Sequence, residues 1–200
     1  MLNAPEPSAT GRHLTAALVL VVALVLQVSV ANRLPLPGGV TPDLVLLTVV
    51  ALALVYGSLT GVVVGFCAGL ASDIIPPADH TIGRYALVYC LIGYLCGMAA
   101  TEMDRRSVVP FVAVAVGALA GTLLYAITGM LLGDPRASWT IVARMVPLQV
   151  FYDVVASPFV VWAVLRVTRR YERADKGARH DRFTLPAAKY RAMSSRGTGL

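Results

Sequence analysis

The sequence predicts an all-α integral membrane protein, a bundle of six short transmembrane helices. Three observations lead there. Of the 200 residues, 57% are hydrophobic and only 14% charged, against about 25% charged in a soluble domain. The mean hydropathy is +0.71. The apolar runs are divided by short polar breaks, which gives one membrane domain in place of one or two soluble ones.

Residues 1–13 are polar and end in Arg12 and His13; they are expected to be a short cytoplasmic N-terminus. The first apolar run covers residues 14–31, with Thr15, Gln27 and Ser29 its only polar members. Ser29-Val30-Ala31 resembles a signal-peptide cleavage site, but the run exceeds a signal core of about 7–15 residues and more spans follow. It is therefore read as an uncleaved first helix. Residues 32–41, with prolines at 35, 37 and 42, are read as an exposed turn.

Residues 44–72 carry no charge until Asp73. As one helix they would measure about 43 Å against a hydrocarbon core of about 30 Å. A single tilted helix would make the total five. Two helices meeting at Tyr56-Gly57-Ser58 make it six, and Gly-Ser is a natural break. The third helix then stops at Pro76-Pro77, a loop covers 79–84, and a fourth helix covers about 85–100. Glu102, Asp104, Arg105 and Arg106 close it. A fifth helix runs from about 108 to 132 and ends in Gly133-Asp134-Pro135-Arg136. Residues 137–146, with Trp139, suit the headgroup level, and the last span is about 147–165. The bundle as a whole occupies 14–168, and 169–200 read as a basic, disordered cytoplasmic tail.

Charge sets the orientation. Residues 166–200 hold ten Lys/Arg and three acids, a balance of +7, so the remaining chain sums to −1. The positive-inside rule then puts the tail and Arg105-Arg106 in the cytoplasm and the loops at Arg84 and at Arg136 and Arg144 outside. The localisation expected is a bacterial plasma membrane, multi-pass, with the C-terminus inside. The tail's arginines are expected to meet an anionic lipid surface. No folded nucleic-acid-binding module accompanies that charge, so nucleic acid is not expected as a partner.

Glycine spacing is the clearest pattern. Gly57, Gly61, Gly65 and Gly69 recur every fourth residue, and Asp73 takes the next step; Gly93 and Gly97, then Gly117, Gly121, Gly129 and Gly133, repeat the spacing. Fourfold spacing shares one helix face, and in lipid small residues let helix backbones approach closely. The face is read as packing within the chain or as docking for a partner's helix, which sequence alone does not separate. Three acids sit at or inside span boundaries, where they face a polar partner or the bundle interior. Asp43 follows Thr41-Pro42 and is read as a helix start. Asp73 lies near the outer surface. Asp153, with Gln149 one turn before it, is read as a buried polar group, with Arg84 or Arg144 as candidate partners.

The motifs of catalysis are missing. His13, His80 and His180 all lie outside the apolar runs, which removes the usual intramembrane base. Gly57-Ser58-Leu59-Thr60-Gly61 misplaces the serine for a nucleophile elbow, and neither a P-loop nor H-E-x-x-H occurs. Cys67, Cys90 and Cys96 lack metal-ligand spacing. No enzyme, metal or cofactor is expected.

Thr41-Pro42-Asp43-Leu44-Val45-Leu46-Leu47, Gly65-Phe66-Cys67-Ala68-Gly69-Leu70-Ala71-Ser72-Asp73, the stretch 76–87 and Gly93-Tyr94-Leu95-Cys96-Gly97 together resemble the rod shape-determining protein MreD family, in an actinobacterial form. The resemblance covers about residues 14–168. It implies a non-enzymatic scaffold of the cell-shape and peptidoglycan elongation complex. Its partners would be an MreC-like membrane protein and, indirectly, the actin-like filament protein and peptidoglycan synthases. It also implies a fold similar to the substrate-binding subunits of energy-coupling-factor vitamin transporters, and such a subunit is the alternative function. Those subunits dock their energising partner through alanines at fourfold spacing in the first helix. Here Ala16, Ala17 and Ala23 are followed four places on by Leu20, Val21 and Gln27.

Overall fold

The computed structural model describes the backbone of residues 9–75, 82–100, 109–133 and 139–194, and the side chains of 11–75, 82–100, 112–133 and 143–171. Six α-helices follow one another: α1 (Ala9–Ser29), α2 (Leu44–Tyr56), α3 (Ser58–Ile74), α4 (Arg84–Ala99), α5 (Val109–Leu131) and α6 (Trp139–Ser194). Two 3₁₀ turns, Ala31–Arg33 and Pro37–Gly39, lie between α1 and α2. No strand occurs among the described residues.

The helices alternate in direction. The C-terminal ends of α1 and α3 and the N-terminal parts of α2, α4 and α6 line one common cavity. The C-terminal part of α5 reaches the start of α4, where Arg84 bonds to Tyr125. Helix α6 consequently leads away from the cavity end. Three helices contain stretches long and apolar enough to cross a membrane, Gly11–Arg33, Val112–Leu131 and Ala143–Tyr171, whereas α2, α3 and α4 are shorter. This is a multi-pass membrane bundle with a short-helix interior.

Helix α2 is the centre. All nine residues from Val45 to Ala53 are buried, which happens only to a helix enclosed on every side. It packs on each of the other five helices. Its 13 residues give about 20 Å of helix, short of the roughly 30 Å hydrocarbon core. It stops at Gly57, whose φ of 85° and ψ of 179° lie in a region essentially reserved for glycine. One residue thus turns α2 into α3, as the Tyr56-Gly57-Ser58 break predicts.

Helices α3 and α4 form an antiparallel pair in direct backbone contact. A Cβ placed on Gly61 would run into the carbonyl oxygen of Gly93, one on Gly65 into that of Tyr89, and one on Gly69 into that of Tyr85. Gly97 in turn abuts the backbone of Ser58. In hydrocarbon such close approach supplies the dispersion that the hydrophobic effect cannot.

Helix α6 departs from expectation at both ends. Its helical backbone begins at Trp139 and runs through Pro147, which the sequence places at the start of a span. It also continues to Ser194, where composition predicts a disordered tail. Ala and Arg, each present five times after residue 170, are strong helix formers. At Pro158 the missing N–H would strand the carbonyl of Val154; the Ser157 hydroxyl donates to that oxygen at 2.8 Å. The proline is thereby accommodated. The expected stops at Pro76-Pro77 and at Asp134-Pro135-Arg136, the cluster 102–106 and the headgroup placement of the Trp139 side chain fall outside the described residues.

Candidate functional site

Five helices converge on a cavity of about 300 Å³ at the end of the bundle away from the tail. Its size falls at the lower edge of small-molecule pockets, about 300–1,000 Å³. Leu24, Val28, Val45 and Ile75 supply apolar wall, Tyr85 and Tyr89 aromatic wall, and Gln27, Asn32, Thr41, Asp43, Ser72 and Gln149 polar groups.

Asp43 is the hub. One of its carboxylate oxygens accepts from the Leu46 N–H at 2.9 Å, which caps α2. The other accepts from the Tyr89 hydroxyl of α4 in a short hydrogen bond. Its own backbone N–H donates to Asp153 Oδ1 of α6 at 2.7 Å. Three helices meet through this one residue.

Gln27 plays the matching part for α1. Its Oε1 accepts from the Leu44 N–H at 2.8 Å, and its Nε2 donates to the Asn32 side chain at 2.9 Å and to the Pro42 carbonyl at 3.1 Å. A lone amide in an apolar helix here satisfies backbone groups at the start of α2. The loop between α1 and α2 is further fixed to α6. Tyr152 donates to the Pro37 carbonyl at 3.0 Å, and Gly38, at φ 85°, sits so close to Leu148 that a Cβ would collide with it.

Asp153 is fully buried beneath this surface. Its partners are the Asp43 N–H and, at 3.5 Å, Gln149 Nε2, in place of the Arg84 or Arg144 expected from sequence. Arg84 turns instead toward α5. Its Nε and Nη2 donate to the Tyr125 carbonyl at 3.1 and 2.6 Å, and its guanidinium lies 3.7 Å from the Tyr125 ring centroid. Tyr125 stacks on Tyr85 at 4.3 Å, and Tyr85 meets Tyr89 edge-on at 5.4 Å. The aromatic wall is therefore braced from behind.

Asp73, also fully buried, belongs to the frame. Its carboxylate accepts from the backbone N–H groups of Gly83, Tyr85 and Ala86 at 2.9, 3.1 and 3.1 Å. It caps α4 from the end of α3, satisfying donors that a helix start leaves open. Gly61, Gly65 and Gly69 face α4 of the same chain, while Gly57 forms the break and touches nothing with its missing Cβ. Of the residues singled out from sequence, Asp43 and Gln149 line the cavity, and Asp153 lies buried behind them, bonded to both. Gln27, Asn32, Thr41, Ser72, Tyr85 and Tyr89 complete it unforeseen. Their only signals are the isolation of Gln27 in an apolar run and the fourfold spacing of the two tyrosines.

A protein-family model described as ECF-type riboflavin transporter, S component, matches residues 12–166. No curated protein and no solved structure matches the chain. The family match overturns the resemblance to the rod shape-determining family. It removes the elongation scaffold, the MreC-like partner, the actin-like filament protein and the peptidoglycan synthases that followed from that resemblance. The structure supplies the reason. Pro42-Asp43 is a helix cap, and the Gly65 to Asp73 stretch serves helix contact and a second cap. These motifs are demands of the architecture and mark no particular function.

Proposed function

The chain belongs to the family of ECF-type riboflavin transporter S components, and from that premise we propose that it is the membrane-embedded binding subunit of a vitamin importer, with riboflavin its ligand. The observation that carries the reading is the cavity itself, where apolar, aromatic and hydrogen-bonding groups from five helices converge. A flavin has a flat aromatic ring system and a polyhydroxylated chain. Tyr85, Tyr89 and the aliphatic wall suit the ring, and Asn32, Thr41, Ser72 and Gln149 suit the hydroxyls and ring heteroatoms.

The charge of residues 166–200 supports a cytoplasmic C-terminus. The cavity end then faces outward, as an importer requires. With no P-loop in the sequence, the energy for release to the cytoplasm comes from the partner proteins of the energy-coupling-factor module. Of the alanines whose spacing spoke against this reading, Ala16 and Ala23 are buried in the bundle and Ala17 is exposed, followed on the outward face by Val21 and Val25. The family match outweighs that missing alanine series.

The test is riboflavin titration of the detergent-purified protein, read by quenching of flavin fluorescence. Saturable one-to-one quenching is expected. A helical, monodisperse preparation that quenches no more than a membrane protein of unrelated family would end the proposal.

A further inference from the structure

Among the polar groups lining the cavity, most are committed to holding the protein together. Gln27 spends both ends of its amide on Asn32, Pro42 and Leu44. Asp43 is engaged by Leu46 and Tyr89. Gln149 differs. Its nitrogen lies 3.5 Å from Asp153 Oδ2, and its oxygen has no partner among the described residues.

The chemistry of that pair fixes a polarity. Gln149 and Asp153 are one turn apart on the same face of α6. Gln149 Nε2 donates to Asp153 Oδ2, so the side of the amide turned to Asp153 is the NH₂. Asp153 cannot rotate to release the amide, because its other oxygen is held at 2.7 Å by the Asp43 N–H and the residue is fully buried. The amide oxygen is left to face the cavity that Gln149 lines.

We propose that Asp153, which does not itself line the cavity, is a positioning residue that presents Gln149 as a hydrogen-bond acceptor, so that the ligand edge against α6 has to carry a donor. This inference rests on the riboflavin reading, under which the donor is the ring imide N–H. Acceptor-only edges are rejected there.

Asp153→Asn tests the logic because it is isosteric. Its Oδ1 still accepts from the Asp43 N–H, so its NH₂ occupies the place of Oδ2. Gln149 then has to turn its oxygen toward residue 153 and its NH₂ toward the cavity. The probes are riboflavin and 3-methylriboflavin, in which the imide donor is replaced by a methyl group, titrated in parallel on the full chain. Wild type is expected to prefer riboflavin by about three- to tenfold, the worth of one neutral hydrogen bond. In Asp153→Asn the ratio should fall to about one or invert. Gln149→Met, at a half-buried position, should also abolish it. The ratio of two ligands on one protein does not depend on the fraction folded. Equal binding of both flavins to wild type, or a ratio unchanged in both variants, overturns the inference while leaving the binding role intact. Failure of wild type to bind riboflavin at all removes the binding role and the inference together.

Discussion

Gly61 of α3 and Gly93 of α4 lie backbone against backbone, each blocking the space that a Cβ on the other would need. Gly65 continues this seam against the Tyr89 carbonyl. Gly65→Val is therefore expected to force the pair apart and to lower stability by about 1–3 kcal/mol. Reversible SDS or thermal unfolding of the purified protein measures it. A melting midpoint equal to wild type would mean that the seam is looser than described.

Asp73 holds three backbone N–H groups at the start of α4. Asp73→Ala leaves them without that acceptor inside the bundle, at a cost of about 1–3 kcal/mol. Hydrogen exchange should accelerate at Tyr85 and Ala86 ahead of the rest of α4. Uniform exchange along the helix would argue against a capping role.

Tyr89 and Asp43 tie α4 to the start of α2. Tyr89→Phe removes only the hydroxyl, and Asp43→Asn weakens the acceptor while retaining an oxygen for the α2 cap. Each is expected to cost about 1–3 kcal/mol. The double variant should cost less than the sum, because both changes break the same bond. Strict additivity in a double-mutant cycle would show the two groups to be energetically independent.

Ser157 answers the carbonyl that Pro158 strands in α6. Ser157→Ala is expected to destabilise the protein by about 1–2 kcal/mol. Restoring the helical N–H in the background of that variant, by Pro158→Ala, should recover most of the loss. If Ser157→Ala is silent in unfolding experiments, the hydroxyl is dispensable.

The family match ends at residue 166, and the cavity lies near Gln149 at the other end of the bundle portion of α6. Truncation after Tyr171 is accordingly expected to leave riboflavin affinity within about twofold of wild type, since distant and independent sites add. A tenfold loss would couple the tail to the cavity.

Most of the frame was visible in the sequence because lipid makes its demands locally. The Gly57 break, the Asp43 helix start and the six apolar segments each follow from one residue type at one position. The cavity was less visible. Gln27 stands 58 and 62 places before Tyr85 and Tyr89, and they meet only after α1 and α4 have come together around the cavity. The resemblance misled for a related reason. A cap at Asp43, a cap at Asp73 and a glycine seam are what any chain with these short, close-packed helices needs. Arg84 shows the same limit in miniature: its charge suggested Asp153 as a partner, but Asp153 is held by the Asp43 N–H and Gln149, and Arg84 bonds to the carbonyl of Tyr125 and covers its ring.

The enclosure of α2 has a further consequence for how freely the chain can drift. On α1, outward residues such as Leu14, Val21 and Val25 touch only lipid or another molecule, and any aliphatic of similar size will serve. Helix α2 has no such face between Val45 and Ala53. Saturation mutagenesis would draw α1 as stripes of tolerance at the helical period and α2 as an unbroken band where substitution fails.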